Sequence, residues 1–217
     1  EEERDFLRGF LAPELRRQGL GDVVLTIWDH NKERLFDRVD AICSESEANA
    51  CVGAAGFHWY GGDHFDALRL VRRKYPDKLL MFTEGCIEYS KGSHGAQTEN
   101  AERYAREILH GFNAGLNAFF DWNLLLDMSG GPNHKGNYCD APIMADAEQN
   151  LLKYNLSYSY IRHFSRYIRP GAVRIGTTCY DNDLGFCAAL DPDGSIAAVV
   201  RNTSATGKKG FVRLHGE

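Results

Sequence analysis

The feature that most constrains this chain is a change of rhythm near residue 170. Before that point, β-type apolar runs alternate with helical stretches. After it, short β-type runs follow one another with turns between them. Alternation of the first kind produces parallel strands joined by helices, and succession of the second kind produces an antiparallel sheet.

The first region holds four β-type runs: DVVLTIWDHN (22–31), CVGAAGFHWY (51–60), KLLMFTEGC (78–86) and LNAFFDWNLLLD (116–127). The small residues of the second run suit a crowded interior, and the third reads as a fully buried parallel strand. Helical patterns occupy residues 2–18, closed by Gly19 to Gly21; 32–50, broken near Cys43 and Ser44; 61–76, capped by Asp63 and ended by Pro76; 98–115; and 149–168. Residues 87–97 read as a loop, and a Gly- and Asn-rich segment spans 128–144. The second region reads as strands at 173–181, 184–191, 195–202 and 210–216, with the DPDG turn at 191–194.

Four β/α units could form an open doubly wound sheet, but that fold would place a glycine-rich phosphate loop after its first strand. The stretch after Ile27-Trp28 reads DHNKERLF, with no glycine. The expected fold is therefore α/β: the second half of a (β/α)8 TIM barrel over residues 1–170, followed by antiparallel strands over 171–217. A full barrel has eight strands. The chain opens without Met and inside a helical pattern, so it is expected to begin within a longer protein. Its cut sheet edges would leave it poorly stable or paired with other polypeptide.

Composition removes several classes of function. The 217 residues carry a formal net charge of −5 with no basic stripe, which excludes nucleic acid as the expected partner. The longest apolar stretches fall short of a transmembrane segment, and the N-terminus has no signal-peptide pattern. Six cysteines occur with no CxxC pair, so no metal site is expected from them. A chain of this size needs no disulfide staples, which favours the cytoplasm over secretion without excluding the latter. His58 and His64 do not make a metal pair, because one ends a strand, the other opens a helix, and no third ligand accompanies them.

The four runs end in Asp29-His30-Asn31, His58-Trp59-Tyr60, Glu84 with Cys86, and Asp121-Trp122-Asn123. In a barrel all four ends face one mouth. Aromatic rings can stack on the apolar face of a sugar while His, Asn and carboxylate groups bond its hydroxyls. A carboxylate among them is placed to attack an anomeric carbon. Taken singly, Trp59 and Trp122 read as core aromatics, His58 as a core histidine and Asp121 as a structural acceptor. The shared bias of all four ends makes the site.

The strings HWY (58–60), FTEGC (82–86), DWNLLLD (121–127), GGPNHKGNYCDAPI (130–143) and HFSRYIRPGA (163–172) resemble glycoside hydrolase family 30, glucosylceramidase-like branch. The resemblance covers nearly the whole chain. It implies barrel strands five to eight followed by part of a side β-sandwich, and no cofactor. It also implies a retaining β-glycosidase acting on β-glucosides such as glucosylceramide, with Glu84 as the nucleophile that forms a glycosyl-enzyme. His58, Tyr60, Trp122, Asp121, Asn137 and Asn31 are the implied substrate-binding residues. Of these, Trp122 stacks on the sugar, Tyr60 bonds the Glu84 carboxylate and Asn31 faces the aglycone. Cys86 lines the pocket in relatives and reads equally well as a small packing residue.

Retaining hydrolysis needs a second carboxyl group about 5–5.5 Å from the first. The resemblance places that acid/base Glu after an Asn on barrel strand four, ahead of residue 1, and no such Asn-Glu pair ends a strand here. The partner expected for this chain is therefore the missing N-terminal half of the barrel, with a β-linked glucoside or oligosaccharide as substrate. The alternatives are an endo-β-1,6-glucanase or β-xylosidase of the same family, or a catalytically incomplete fragment that binds carbohydrate.

Overall fold

The computed structural model describes residues 1–89 and 96–215. The chain forms two compact units, Glu1–Arg162 and His163–Glu217.

In the first unit, a helical N-terminal stretch runs as α1 (Glu2–Phe6), a π-helical turn (Leu7–Leu11) and α2 (Ala12–Arg17). Gly19, at φ 75°, ends it in the left-handed conformation that glycine adopts without strain. Four parallel strands then pair in sequence order: β1 (Thr26–Asn31), β2 (Ala54–His58), β3 (Leu79–Glu84) and β5 (Ala118–Phe119). Between them lie α3 (Leu35–Cys43), α4 (Ser46–Asn49), α5 (Phe65–Lys74) and α6 (Gln97–Ala114). Sequential parallel strands separated by helices are the repeat of a (β/α) barrel, and this sheet is a partial one.

The core lies between sheet and helices. Ala54, Ala55 and Phe57 of β2 are fully buried, as expected for the central strand. The third run differs from its expected full burial: Leu80 and Phe82 are buried while Leu79 is 41% exposed. Alternate side chains of β3 point to opposite faces, and only one face meets the helix layer. Leu68 and Val71 of α5 pack on that layer, as does Tyr104 of α6. Gly115, at φ 108°, closes α6.

Several boundaries differ from the sequence reading. Asp63 does not cap α5; its carboxylate pairs with Arg106, and His64 occupies the cap position at φ 29°. Residues 87–97 are not all loop, since β4 (Ile87–Glu88) pairs antiparallel with β7 (Cys139–Asp140), while residues 90–95 lie outside the described residues. The run 116–127 holds the fourth strand and its exit, as expected. The strand stops at Phe119 and the chain resumes as β6 (Leu125–Asp127), in a separate sheet with β8 (Ile143–Asp146) and β9 (Leu151–Tyr154). The break falls at Asp121, whose carboxylate bends back to accept from the Trp122 N–H and the Tyr104 hydroxyl. The helix expected at 149–168 is α7 (Leu156–Ser165), because Asn150, at φ 51°, turns the chain into the β8–β9 hairpin.

In the second unit, β10 (Val173–Ile175), β11 (Leu184–Leu190) and β12 (Ile196–Asn202) form an antiparallel sheet. The DPDG segment makes the expected turn, with the Asp191 N–H bonded to the Ser195 carbonyl at 2.8 Å. The strand expected at 210–216 is not formed over the described residues 210–215.

Candidate active site

Two irregularities in the parallel sheet build the mouth. Between β1 and β2 the register slips after Trp28, leaving Asp29 without an opposite residue. Trp28 and Asp29 take φ values of 72° and 51°, a left-handed pair that costs about 1–3 kcal/mol per residue. Between β2 and β3 the register slips after Phe57, leaving Thr83 over. The two supernumerary residues then bond each other, the Thr83 hydroxyl donating to Asp29 Oδ1 at 2.6 Å. Bulges re-aim side chains next to sites. After the slips, Asn31, His58 and Glu84 stand opposite one another across three strands.

Glu84 ends β3 with its side chain 25% exposed. His58 Nε2 lies 3.9 Å from Glu84 Oε2 and 3.1 Å from Asp29 Oδ1. The Thr83 hydroxyl, followed by the His58 ring, holds the Asp29 carboxyl below its ordinary range. Tyr60 brings its phenol to the same place. Its oxygen accepts from the Cys86 N–H at 3.2 Å and lies 3.3 Å from Cys86 Sγ. Burial, then the Cys86 thiol, then the Glu84 carboxylate raise the Tyr60 pKa far above a free phenol, so the hydroxyl keeps its proton.

Gly85 makes this packing possible. A Cβ there would lie 2.5 Å from Phe82 Cζ and 2.9 Å from Trp59 Cε2. Its carbonyl accepts the Trp122 N–H at 3.2 Å, which fixes the backbone of Trp122 against the residue after Glu84. The Trp122 indole is 55% exposed, whereas Trp59 is 3% exposed and packs on Tyr104 and Phe82. Of the two tryptophans, Trp122 offers an open face and Trp59 is core.

Asp121 is half-buried. Its Oδ1 accepts from Tyr104 and the Trp122 N–H, both at 3.0 Å, while its buried Oδ2 has no hydrogen-bond partner among the described residues. Burial pushes its pKa to about 7. Asn31 directs its carboxamide oxygen to the Tyr60 N–H at 2.9 Å, so that part of the side chain holds the mouth together. Asn137 is exposed, and its carbonyl accepts from Cys139 Sγ at 3.2 Å and from Asn133 at 3.2 Å. Among the described residues, no hydrogen bond or ion pair links its side chain to the Glu84 group. The long segment around it is tied down by buried Asp140, which accepts from Tyr89, Gln97 and Asn155.

Sequence reasoning brought Glu84, His58, Tyr60 and Asn31 to one place, and they do meet. It missed Asp29 and Thr83 as bonded bulge residues, Tyr104 as the partner of Asp121, and Cys139 beside Cys86 at 3.5 Å between sulfurs. Asp29 was visible as a strand-end residue; the others carried no local signal. The mouth sets the Glu84 carboxylate beside an imidazole and a protonated phenol. Such groups can bond the hydroxyls of a polyol and offer a carboxylate to it.

Residues 1–168 match the Glycosyl hydrolase family 30 TIM-barrel domain, and residues 171–212 match the Glycosyl hydrolase family 30 beta sandwich domain. The lysosomal acid glucosylceramidase of Mus musculus is 29% identical over 212 residues, covering 94% of this chain and 41% of the mouse protein. The solved structure of SrfJ from Salmonella typhimurium is 39% identical with a TM-score of 0.88, over 93% of this chain and 45% of SrfJ. An endo-beta1,6-glucanase structure is 29% identical with a TM-score of 0.83, over 93% of this chain and 46% of the other. The chain thus spans about 35–41% of the length of the curated relatives it matches. With both domain matches in chain order over this fold, the chain belongs to glycosyl hydrolase family 30.

Proposed function

We propose that this chain supplies the nucleophile side of a retaining β-glycosidase site that hydrolyses β-glucosides such as glucosylceramide. Glu84 attacks the anomeric carbon and the leaving oxygen takes a proton from a second carboxylic acid. Water then releases the sugar from the glycosyl-enzyme, with two inversions giving net retention. The observation that carries the reading is the level row of Asn31, His58 and Glu84 at the strand ends, with the protonated Tyr60 phenol beside the carboxylate. Trp122 is the sugar platform and His58 bonds a sugar hydroxyl, while Asp121, expected beside the sugar, serves the subsite by holding the Trp122 backbone. Asn137 belongs to the same subsite and Asn31 to the aglycone side.

The acid is proposed to come from polypeptide outside residues 1–217, in an N-terminal barrel half. We place the boundary between barrel and sandwich at residues 170/171. A second reading, a β-1,6-glucanase, is favoured by the 29% identity and TM-score of 0.83 to a protein of that activity.

The test is trapping. A 2-deoxy-2-fluoro-β-glucoside with an activated leaving group, reacted with the complete protein, should leave its sugar on the peptide that carries Glu84. Glu84→Gln should abolish both label and turnover of an aryl β-glucoside. A label on another carboxylate, or full turnover in Glu84→Gln, overturns the assignment. Comparing glucosylceramide with β-1,6-linked glucan as substrates separates the two readings.

A further inference from the structure

Cys86 and Cys139 stand apart from the other four cysteines. Cys43 and Cys187 are buried, with thiols pushed up to about 11 by burial, so they are poor nucleophiles. The thiols of Cys51 and Cys179 turn to backbone carbonyls of their own segments. Cys139 Sγ also meets the Asn137 carbonyl, at 3.2 Å, but it alone stands beside a second sulfur among the described residues, 3.5 Å from Cys86 Sγ. They come from positions 53 residues apart, brought together by the β4–β7 ribbon, in which Glu88 stands opposite Cys139. Cys86 is half-buried and Cys139 buried, so one sulfur can be reached from outside and the other lies behind it.

We propose that Cys86 and Cys139 form a reversible dithiol–disulfide modification site whose reactant is a small-molecule disulfide. The Cys86 thiolate attacks one sulfur of the reagent, and the reagent's S–S bond breaks with release of one thiolate. Cys139, as thiolate, then attacks Cys86 Sγ in the mixed disulfide and releases the second thiolate. The two cysteine protons go to water and the two released thiolates take protons from it. The protein's two sulfurs are oxidised by two electrons, and the reagent is reduced to two thiols.

Closing the gap from 3.5 Å to a bond of about 2.05 Å draws the two sulfurs together by roughly 1.5 Å. Cys86 lies just outside the ribbon, diagonal to Cys139 across the Glu88–Cys139 pair, so closure takes side-chain rotation together with a backbone shift at Cys86, which no strand pairing holds. The bridge has a consequence at the mouth. Cys86 Sγ lies 3.3 Å from the Tyr60 hydroxyl, and that hydroxyl adjoins Glu84. Drawing the sulfur toward Cys139 removes one of the contacts that hold the phenol in place. Bridge formation stands on the sulfur geometry alone; its effect on turnover rests on the glycosidase reading.

The experiment treats the intact, fully reduced protein with oxidised glutathione, blocks remaining thiols with iodoacetamide and maps the digest without reduction. Protection of Cys43 and Cys187 from alkylation marks the folded protein. The expected product is a peptide pair joined through Cys86 and Cys139, split by dithiothreitol. In Cys139→Val, Cys86 should stop at the glutathione adduct. Turnover of an aryl glucoside by the oxidised protein should fall about tenfold, the size of one lost hydrogen bond near the reacting group, and return with dithiothreitol. Stable glutathione on Cys86 with Cys139 alkylated in the unmutated protein overturns the proposal, as does alkylation of both cysteines after oxidation. A mapped bridge with unchanged turnover keeps the modification site and removes its link to Tyr60.

Discussion

Replacing Lys32 with Met would leave one of the most deeply buried charges in the chain without its partner. Lys32 Nζ lies 2.6 and 2.5 Å from the two carboxylate oxygens of Glu107, with side-chain exposures of 0% and 6%. Burial is the larger influence on each group: it lowers the lysine pKa and raises the glutamate pKa, and each ion opposes that shift in the other. The ammonium also sits 4.3 Å from the centre of the Phe65 ring. Removing one member of such a pair costs about 3–5 kcal/mol, because the remaining charge stays desolvated. With a urea slope of about 3 kcal/mol/M, the midpoint of Lys32→Met should fall by roughly 1–1.7 M. Glu107→Leu should behave alike. The double variant, Lys32→Met with Glu107→Leu, removes both desolvation costs and should return to the parent midpoint or above it. Urea titrations of the four proteins followed by far-ultraviolet circular dichroism measure this directly. Single variants that move the midpoint by less than about 0.3 M, or a double variant worse than either single, would refute the view that desolvation governs this pair.

Gly85→Ala would set a methyl 2.5 Å from Phe82 Cζ, on a ring already stacked at 4.4 Å on Phe119. Overpacking of this kind should cost about 1–3 kcal/mol, and an unchanged melting temperature would show that the ring can yield. Asp121 holds its proton to about pH 7 when folded, against an ordinary value of 3.8. The folded state therefore binds the extra proton between those values, and stability should fall as pH rises through that window. Asp121→Asn should flatten this fall in denaturant midpoints measured across it, and parallel profiles for parent and variant would count against the assignment.

The parallel sheet could be read from the sequence because the signals were local. The small, apolar Ala54-Ala55-Gly56-Phe57 stretch requires a buried strand whichever neighbours it meets, and Gly115 stops α6 by its own backbone preference. Within the run 116–127 the point where strand gives way to exit was not legible, because periodicity does not register a carboxylate that turns back on its own backbone, as Asp121 does at Trp122. Leu151–Tyr154 misled because a hairpin set by Asn150 overrides helical spacing. At the mouth, the identity of the residues was legible while their bonding was not. Thr83 and Asp29 meet only because two separate register slips bring them level, and a slip is a property of strand pairs.

Those slips also explain how the mouth divides its charges. Asp29 gains the Thr83 hydroxyl as a donor and stays ionised, so it draws the His58 ring toward itself, at 3.1 Å against 3.9 Å to Glu84. Asp121, buried and with no donor to Oδ2 among the described residues, keeps its proton to about pH 7. Without the bulge, Thr83 would take the place opposite His58 and Glu84 would fall one place further on, on the other face, since one residue of register inverts a strand. Glu84 would then point into the helix layer. The extra residue in β3 is thus what delivers the carboxylate to the side of the sheet where an imidazole and a phenol already converge.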